Sequence, residues 1–334
     1  MPAESPRVLV TGAGGPSGIS FLRALEDTPL ELRAGDIDPF AAGLYLVDAT
    51  RRAILPRGDD PRFTDDLLAR CRREQIDVLV PTVDSELLPL ARRRAEFDDA
   101  GVTLVLASEA TLAVCLDKWA LAERCHGRVR GPATVVVDGA FEPVAVALPV
   151  IVKPRSGSGS RGIRLVERRS ELEALERDGT LLVQEHLPGP EYSLDVLARA
   201  DGHVAAVVPR ERLKVDSGIA VTGRTLRDAA LDRFAREVAE AIELTSVANV
   251  QVKLAADDEP ALLEVNARFP GTMPLTVAAG VDMPRLAVME ALGEPIPDGP
   301  LPFEELAMVR YFHERFFAFD DIADLQRHAA EIAS

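Results

Sequence analysis

Cysteine is scarce in this chain: Cys71, Cys115 and Cys125 are the only three among 334 residues. Their number is odd, they lie far apart, and none forms a Cys-x-x-Cys pair. That excludes a disulfide framework or a zinc site and predicts reduced thiols of a cytoplasmic protein. Long apolar runs are also missing. No stretch reaches the ~18–20 apolar residues that a membrane span requires, which excludes a membrane partner. The opening Met1–Pro6 has neither a basic nor an apolar leader segment, so no export is expected. Positive charge is in short supply, with 38 Lys and Arg against 54 Asp and Glu and a net charge of −16. A general nucleic-acid surface is excluded on that count, because a phosphate backbone demands basic surface. A small phosphorylated ligand is not, since a few local cations and a divalent metal can hold it. What remains, 47% hydrophobic and 28% charged residues, is the balance of a globular protein long enough for two or three cores.

The N-terminal third reads as a doubly wound α/β domain. Arg7–Thr11 is a short β-rich run, followed by Gly12-x-Gly14-x-x-x-Gly18 and a helical pattern over Ile19–Leu25. Asp36-Ile37-Asp38 ends a second strand, where a ribose-binding acid sits in dinucleotide enzymes. Two readings stand at this point. One is an NAD(P) site, although the glycine spacing is off by one; the other is a tight turn in a Rossmann-like domain without a dinucleotide. Further strands are expected at Asp77–Pro81 and Val102–Leu106, with helices at Phe63–Arg73 and Ser85–Glu96. The loop Pro81–Glu86 follows the carboxyl end of a strand, where open α/β sheets bind ligands, so Thr82, Asp84 and Glu86 are candidate substrate contacts. A plain helix N-cap is the alternative for Asp84 or Ser85.

Two later segments carry chemistry. Pro149–Arg155 is an apolar strand ending in Lys153, whose side chain shares a face with Ile151. A buried ammonium needs an anionic partner, and phosphate is a good one. The Gly/Ser loop after it (Ser156, Gly157, Ser158, Gly159 and Gly162) can bring backbone N–H groups against phosphate oxygens without Cβ obstruction. It lacks the Gly-Lys-Ser/Thr of a Walker A loop, and the strand Gly162–Val166 makes it a hairpin lid. The second segment is Val247–Gly271. Two runs rich in Val and Leu flank the turn Asp257–Pro260, predicting an antiparallel hairpin. Side chains two apart share a face, so Glu264, Asn266 and Arg268 line up, with Gln251 on the partner strand. Hard oxygen donors beside an Arg suit Mg²⁺ (or Mn²⁺) and phosphate. Arg210, Arg212 and Lys214 alternate along another strand and predict one cationic face for a carboxylate substrate, with Arg224 near a loop over Ser217–Gly223. A solvated edge strand guarded by cations is the competing reading.

The segment from Leu262 to Thr272, following the Asn249–Gln251 strand, resembles the metal-binding hairpin of the ATP-grasp superfamily. It is most similar to the carbamoyl phosphate synthetase large chain and its single-unit relatives. Matching motifs run from about Val8 to Ala291. The resemblance implies an α/β and α+β fold: a Rossmann-like parallel-sheet (pre-ATP-grasp) domain, then a two-lobed ATP-grasp domain with antiparallel sheets. Its expected partition is 1–107 for the first domain, 108–190 for the central lobe, 191–300 for the C-terminal lobe and 301–334 for a closing strand (Ala307–His313) and helix. It implies that Lys118, in Asp117-Lys118, reaches the nucleotide phosphates with Lys153. Glu185 and Leu187 would read adenine through their backbone, with His186 between them, and Glu191 would bind the ribose. Gln251, Glu264 and Asn266 would hold Mg²⁺, and Arg268 would stabilise the transferring phosphoryl group. The implied activity is ATP-dependent activation of a small carboxylate as an acyl phosphate, captured by an amine with release of ADP and phosphate. The resemblance also allows a homodimer. A non-catalytic ATP-binding protein and an NAD(P)-dependent oxidoreductase are the alternatives.

Overall fold

The computed structural model describes residues 5–157, 159 and 161–333. Ser158, expected at the phosphate loop, lies outside the described residues. Three sheets account for the strands. The first holds β1 (Arg7–Thr11), β2 (Glu31–Asp36), β3 (Arg52–Ile54), β4 (Val78–Val80) and β5 (Thr103–Leu104) in the order β3-β2-β1-β4-β5. All its pairings are parallel. Val8, Leu9, Val10, Val78, Leu79 and Val80 are each fully buried, as expected of strands covered by helices on both faces. The order reverses between β1 and β4, so the loops after these strands part and open a crevice at their carboxyl ends.

The second sheet, order β6-β9-β7-β8, comprises β6 (Thr134–Val136), β7 (Val150–Pro154), β8 (Arg164–Val166) and β9 (Leu181–Glu185). It is antiparallel throughout. Val137, Phe141, Val150, Val152, Val166, Leu172, Leu175 and Val183 form a core of its own. A lobe with a private core can shift as a unit against its neighbours.

The third sheet contains β10 (Glu191–Ala198), β11 (Val204–Asp216), β12 (Ile219–Thr225), β13 (Val247–Leu254), β14 (Pro260–Asn266) and β15 (Ala307–Val309), in the order β14-β13-β10-β11-β12-β15. Its pairings are antiparallel. The helix Ala229–Ala241 buries Leu231, Phe234, Ala235 and Val238. These join Leu194, Val250 and Val265 of the third sheet and Leu9, Phe63 and Leu79 of the first domain in one continuous core. The first and third sheets are thereby joined through one core, and the second keeps its own.

Several expected elements differ from the structure. The single helix expected over Ser85–Glu96 is two, Asp84–Arg92 and Arg94–Asp98, and the strand expected over Gly162–Val166 starts at Arg164. The closing strand expected over Ala307–His313 ends at Val309; beyond it the chain leaves the sheet, with Arg315 donating to the Tyr45 carbonyl at 3.1 Å and Phe317 stacked on Tyr45 at 4.6 Å. The expected regular alternation of Arg210, Arg212 and Lys214 is broken by register shifts between Arg212 and Lys214 and between Lys214 and Val215. No helix among the described residues is long and apolar enough to cross a membrane.

Candidate active site

The hairpin β13–β14 sets Gln251 directly opposite Glu264 and Asn249 opposite Asn266. Asn266 Nδ2 donates to Glu264 Oε1 at 3.2 Å, which leaves the amide oxygen free to coordinate. Among the described residues no three His, Cys, Asp or Glu side chains could together hold a metal ion. What the hairpin presents at this point is one carboxylate, Glu264, and two side-chain amides, Gln251 and Asn266. That set suits a hard cation arriving with phosphate oxygens of its own and would hold a bare one weakly.

Facing the hairpin is Lys153 at the end of β7, only 5% exposed. Its ammonium donates to the Leu263 carbonyl at 3.3 Å. Burial, against the pull of Glu264 and with a smaller push from nearby Lys118, brings its pKa down to about 8. Such a lysine is under-neutralised and prepared for an anion. Lys118 reaches the same place from another element. Asp117 caps the helix Lys118–Cys125 by accepting from the Trp119 and Ala120 amides, and Arg155 grips that carboxylate with bonds of 2.6–2.9 Å. Burial opposes ionisation of Asp117, yet the Arg155 and amide bonds prevail and hold its pKa below the ordinary value. With its helix so anchored, Lys118 Nζ donates to the Gly157 carbonyl at 2.7 Å and stands 3.7 Å from Glu264 Oε2.

These groups line a cleft of about 250 Å³ with Ser156, Gly157, Glu185, His186, Leu187, Glu191 and Gln251. Arg161, Ile163, Gln184 and Lys253 line it as well and were not singled out from sequence. The Glu185 carboxylate is occupied by the Ala133 amide at 3.1 Å. Glu191 is paired with Arg212 at 3.2 Å.

A second cavity of about 210 Å³ adjoins the first, and Gln251 and Glu264 belong to both. Asn266, Arg268, Arg212 and Gly159 line this second space. Gly162 adopts a φ of +74° and packs against Pro154. Arg268 is held by Asp84 of the first domain, with Nε–Oδ1 at 2.6 Å. Asp84 was expected to touch substrate; it instead grips a guanidinium, beyond the reach of sequence reasoning because the two lie 184 positions apart.

Four other expected substrate contacts require correction. Arg210 is 1% exposed and its guanidinium forks onto the buried Asp195 at 2.6 and 2.8 Å. Asp195 also accepts from Asn249 and Thr276, so the ion pair is a satisfied knot inside the sheet. A polar Asp195 within the apolar β10 was the signal that sequence reasoning overlooked. Lys214 falls beyond the register shift and is exposed, lining neither cavity. Arg224 pairs with Glu211 on the exposed face at 2.6 Å. Glu86 is buried and accepts from Thr11 Oγ1 at 2.5 Å. Burial pushes its carboxyl up to about 7, with Asp36 and Asp84 adding to the rise.

The glycine turn of the first sheet is tightly packed. A Cβ on Gly12 would lie 2.3 Å from Val83, and one on Gly14 would lie 2.6 Å from the Ala41 Cβ. The Gly14 amide donates to Asp36 Oδ2 at 2.7 Å. The glycines there serve close packing, and the acid expected for a ribose is spent on the turn. The three thiols are buried, and burial raises the pKa of each.

Comparison with known proteins was made against this geometry. A family model described as ATP-grasp in the biosynthetic pathway with Ter operon matches residues 177–314, and a PylC-like N-terminal domain model matches residues 9–105. Among solved structures, N5-carboxyaminoimidazole ribonucleotide synthetase from Thermus thermophilus is similar at 21% identity and TM-score 0.71, over 90% of this chain and 82% of that one. Carboxyaminoimidazole ribonucleotide synthase from Aspergillus clavatus, complexed with ATP, gives 17%, 0.73, 92% and 82%. L-amino acid ligase from Bacillus licheniformis gives 18%, 0.66, 86% and 74%.

Proposed function

We propose, from the premise that the chain belongs to the ATP-grasp superfamily, that it is a ligase joining a small carboxylic acid to an amine at the expense of ATP. In this reading the carboxylate takes the γ-phosphoryl group, ADP departs, and the amine nitrogen displaces phosphate from the resulting acyl phosphate. The observation that carries it is the meeting of Lys118, Lys153, Gly157 and Glu264 around one cleft, although they come from three separate stretches of sequence. Lys118, Lys153 and the backbone of the glycine loop hold the phosphates, the β9 end and the following Leu187 take the base, and Glu191 takes the ribose once Arg212 releases it. Gln251, Glu264 and Asn266 would hold Mg²⁺ (or Mn²⁺), which when bound neutralises phosphate charge. Arg268, steadied by Asp84, faces the space where the acid meets the triphosphate. Catalysis is then chiefly positioning and electrostatic stabilisation.

The same fold in neighbours named as ligases of small molecules supports the reading. A binding protein without turnover would not need Lys153, Glu264, Asn266 and Arg268 all in place. Thermal-shift measurements test the proposal: ATP with Mg²⁺ stabilises the protein and NADH does not, by linkage. Stabilisation by NADH alone would overturn it.

A further inference from the structure

The cavity beside the nucleotide cleft restricts the acid, an inference that rests on the ligase reading and extends it to substrate class. Gln251 and Glu264 form the shared partition, so a carboxylate held there meets the end of the triphosphate. With a volume of about 210 Å³ this is the smaller of the two adjoining cavities. None of the described residues lining it is aromatic, and Ile219 is its largest aliphatic one.

Two guanidinium groups complete the wall, and neither is fully used. Arg268 makes one short bond, Nε to Asp84 at 2.6 Å, while its outer nitrogens reach their partners only at 3.3–3.5 Å. The Arg212 side chain is 8% exposed; its outer nitrogens donate to the Gly218 carbonyl at 3.0 Å and Ser193 Oγ at 3.4 Å, while Nε has no aligned acceptor although Glu191 lies 3.2 Å away. A buried, misaligned N–H costs stability until an acceptor arrives. Pro16 and Ser17 add the positive end of the helix Pro16–Ala24 to the same wall. One guanidinium answers the reacting carboxylate and its incoming phosphoryl group; once Glu191 has turned to the ribose, a simple monocarboxylate leaves the other without an anion.

We propose that this cavity takes a small dicarboxylic acid, acidic amino acids included, with the second carboxylate held by Arg212. Hydroxylamine traps the intermediate and makes the test independent of the natural amine. The acid's oxygen attacks the γ-phosphorus, the bond to the bridging oxygen breaks, and ADP leaves with the electron pair. Hydroxylamine nitrogen then attacks the acyl carbon, phosphate departs and takes up the proton, and a hydroxamate remains.

Succinate, malate, aspartate and glutamate are compared with butyrate, 3-hydroxybutyrate, alanine, phenylacetate and octanoate, measuring ADP and hydroxamate. The expected kcat/KM is higher for the dicarboxylates by at least about tenfold. In Arg212→Met the ratio between succinate and butyrate falls toward one, and Arg212→Lys restores part of it. Parity or preference for monocarboxylates or aromatic acids overturns the proposal and leaves the ligase reading intact. Stabilisation by Mg²⁺-ATP is measured on the same preparation. If it is present while every dicarboxylate is silent, the substrate proposal falls alone; if it is absent, the underlying reading falls with it.

Discussion

Replacing Lys153 with methionine is expected to make the ligand-free protein more stable and to leave it unable to hold ATP. The ammonium is 5% exposed, and burial is the chief reason that its pKa drops from 10.5 to about 8. At ~1.36 kcal/mol per pH unit, the native state carries about 3 kcal/mol of penalty whenever this lysine is charged. Methionine keeps much of the stem volume without the charge. It forfeits the bond to the Leu263 carbonyl, worth ~1 kcal/mol. The expected net gain at pH 7 is ~2 kcal/mol.

The sign has a pH signature. Because the native pKa is the lower one, the unfolded chain binds more protons between about pH 8 and 10.5, and wild-type stability rises with pH across that window. The variant lacks this contribution, so its advantage fades as pH approaches 10.5. Urea unfolding at pH 7 and at pH 9.5 measures both effects. Added Mg²⁺-ATP at a hundredfold excess over Kd stabilises wild type by ~2.7 kcal/mol and leaves Lys153→Met unchanged. A variant that is less stable than wild type at pH 7, or one still stabilised by the nucleotide, refutes the account of Lys153.

Glu264→Ala and Asn266→Ala each abolish ADP release while the circular dichroism spectrum stays native; full turnover in both would remove the assigned metal site. Glu86→Gln keeps an oxygen acceptor for Thr11 and removes the buried carboxyl. Since the native pKa of Glu86 is raised to about 7, wild-type stability is full below about pH 4.5 and declines as pH rises through 7, by up to about 3 kcal/mol. The variant lacks that decline, and parallel urea midpoints from pH 4 to 8 would count against it. Asp195→Ala strands the charge of the buried Arg210 and costs ~3–5 kcal/mol, whereas Asp195→Leu with Arg210→Met costs less than the sum of the single changes in a double-mutant cycle.

The order of parallel then antiparallel sheets was legible because it rests on local patterns. A two-sided apolar run such as Arg7–Thr11 followed by a glycine turn, and the alternating Glu264, Asn266 and Arg268, need no distant partner to be read. Lys153 was legible for the same reason, as a cation terminating an apolar strand. What escaped depends on register and on remote pairing. Arg210 looks like its neighbours Arg212 and Lys214 until two register shifts separate them and Asp195 claims it. The glycines at 12, 14 and 18 announce a turn, but only packing reveals that Val83 and Ala41 press on Gly12 and Gly14 where a side chain would begin. The short β6 lies among residues without clear alternation and was not anticipated.

The bond between Asp84 and Arg268 ties the first domain to the end of the metal-site hairpin in one working surface. Anyone recombining parts among such proteins, grafting a foreign opening module onto this body, would import a stranger opposite Arg268 and misaim it. Compatible donors are then those that carry an acid at the matching loop position, a criterion that can be checked before any chimera is made.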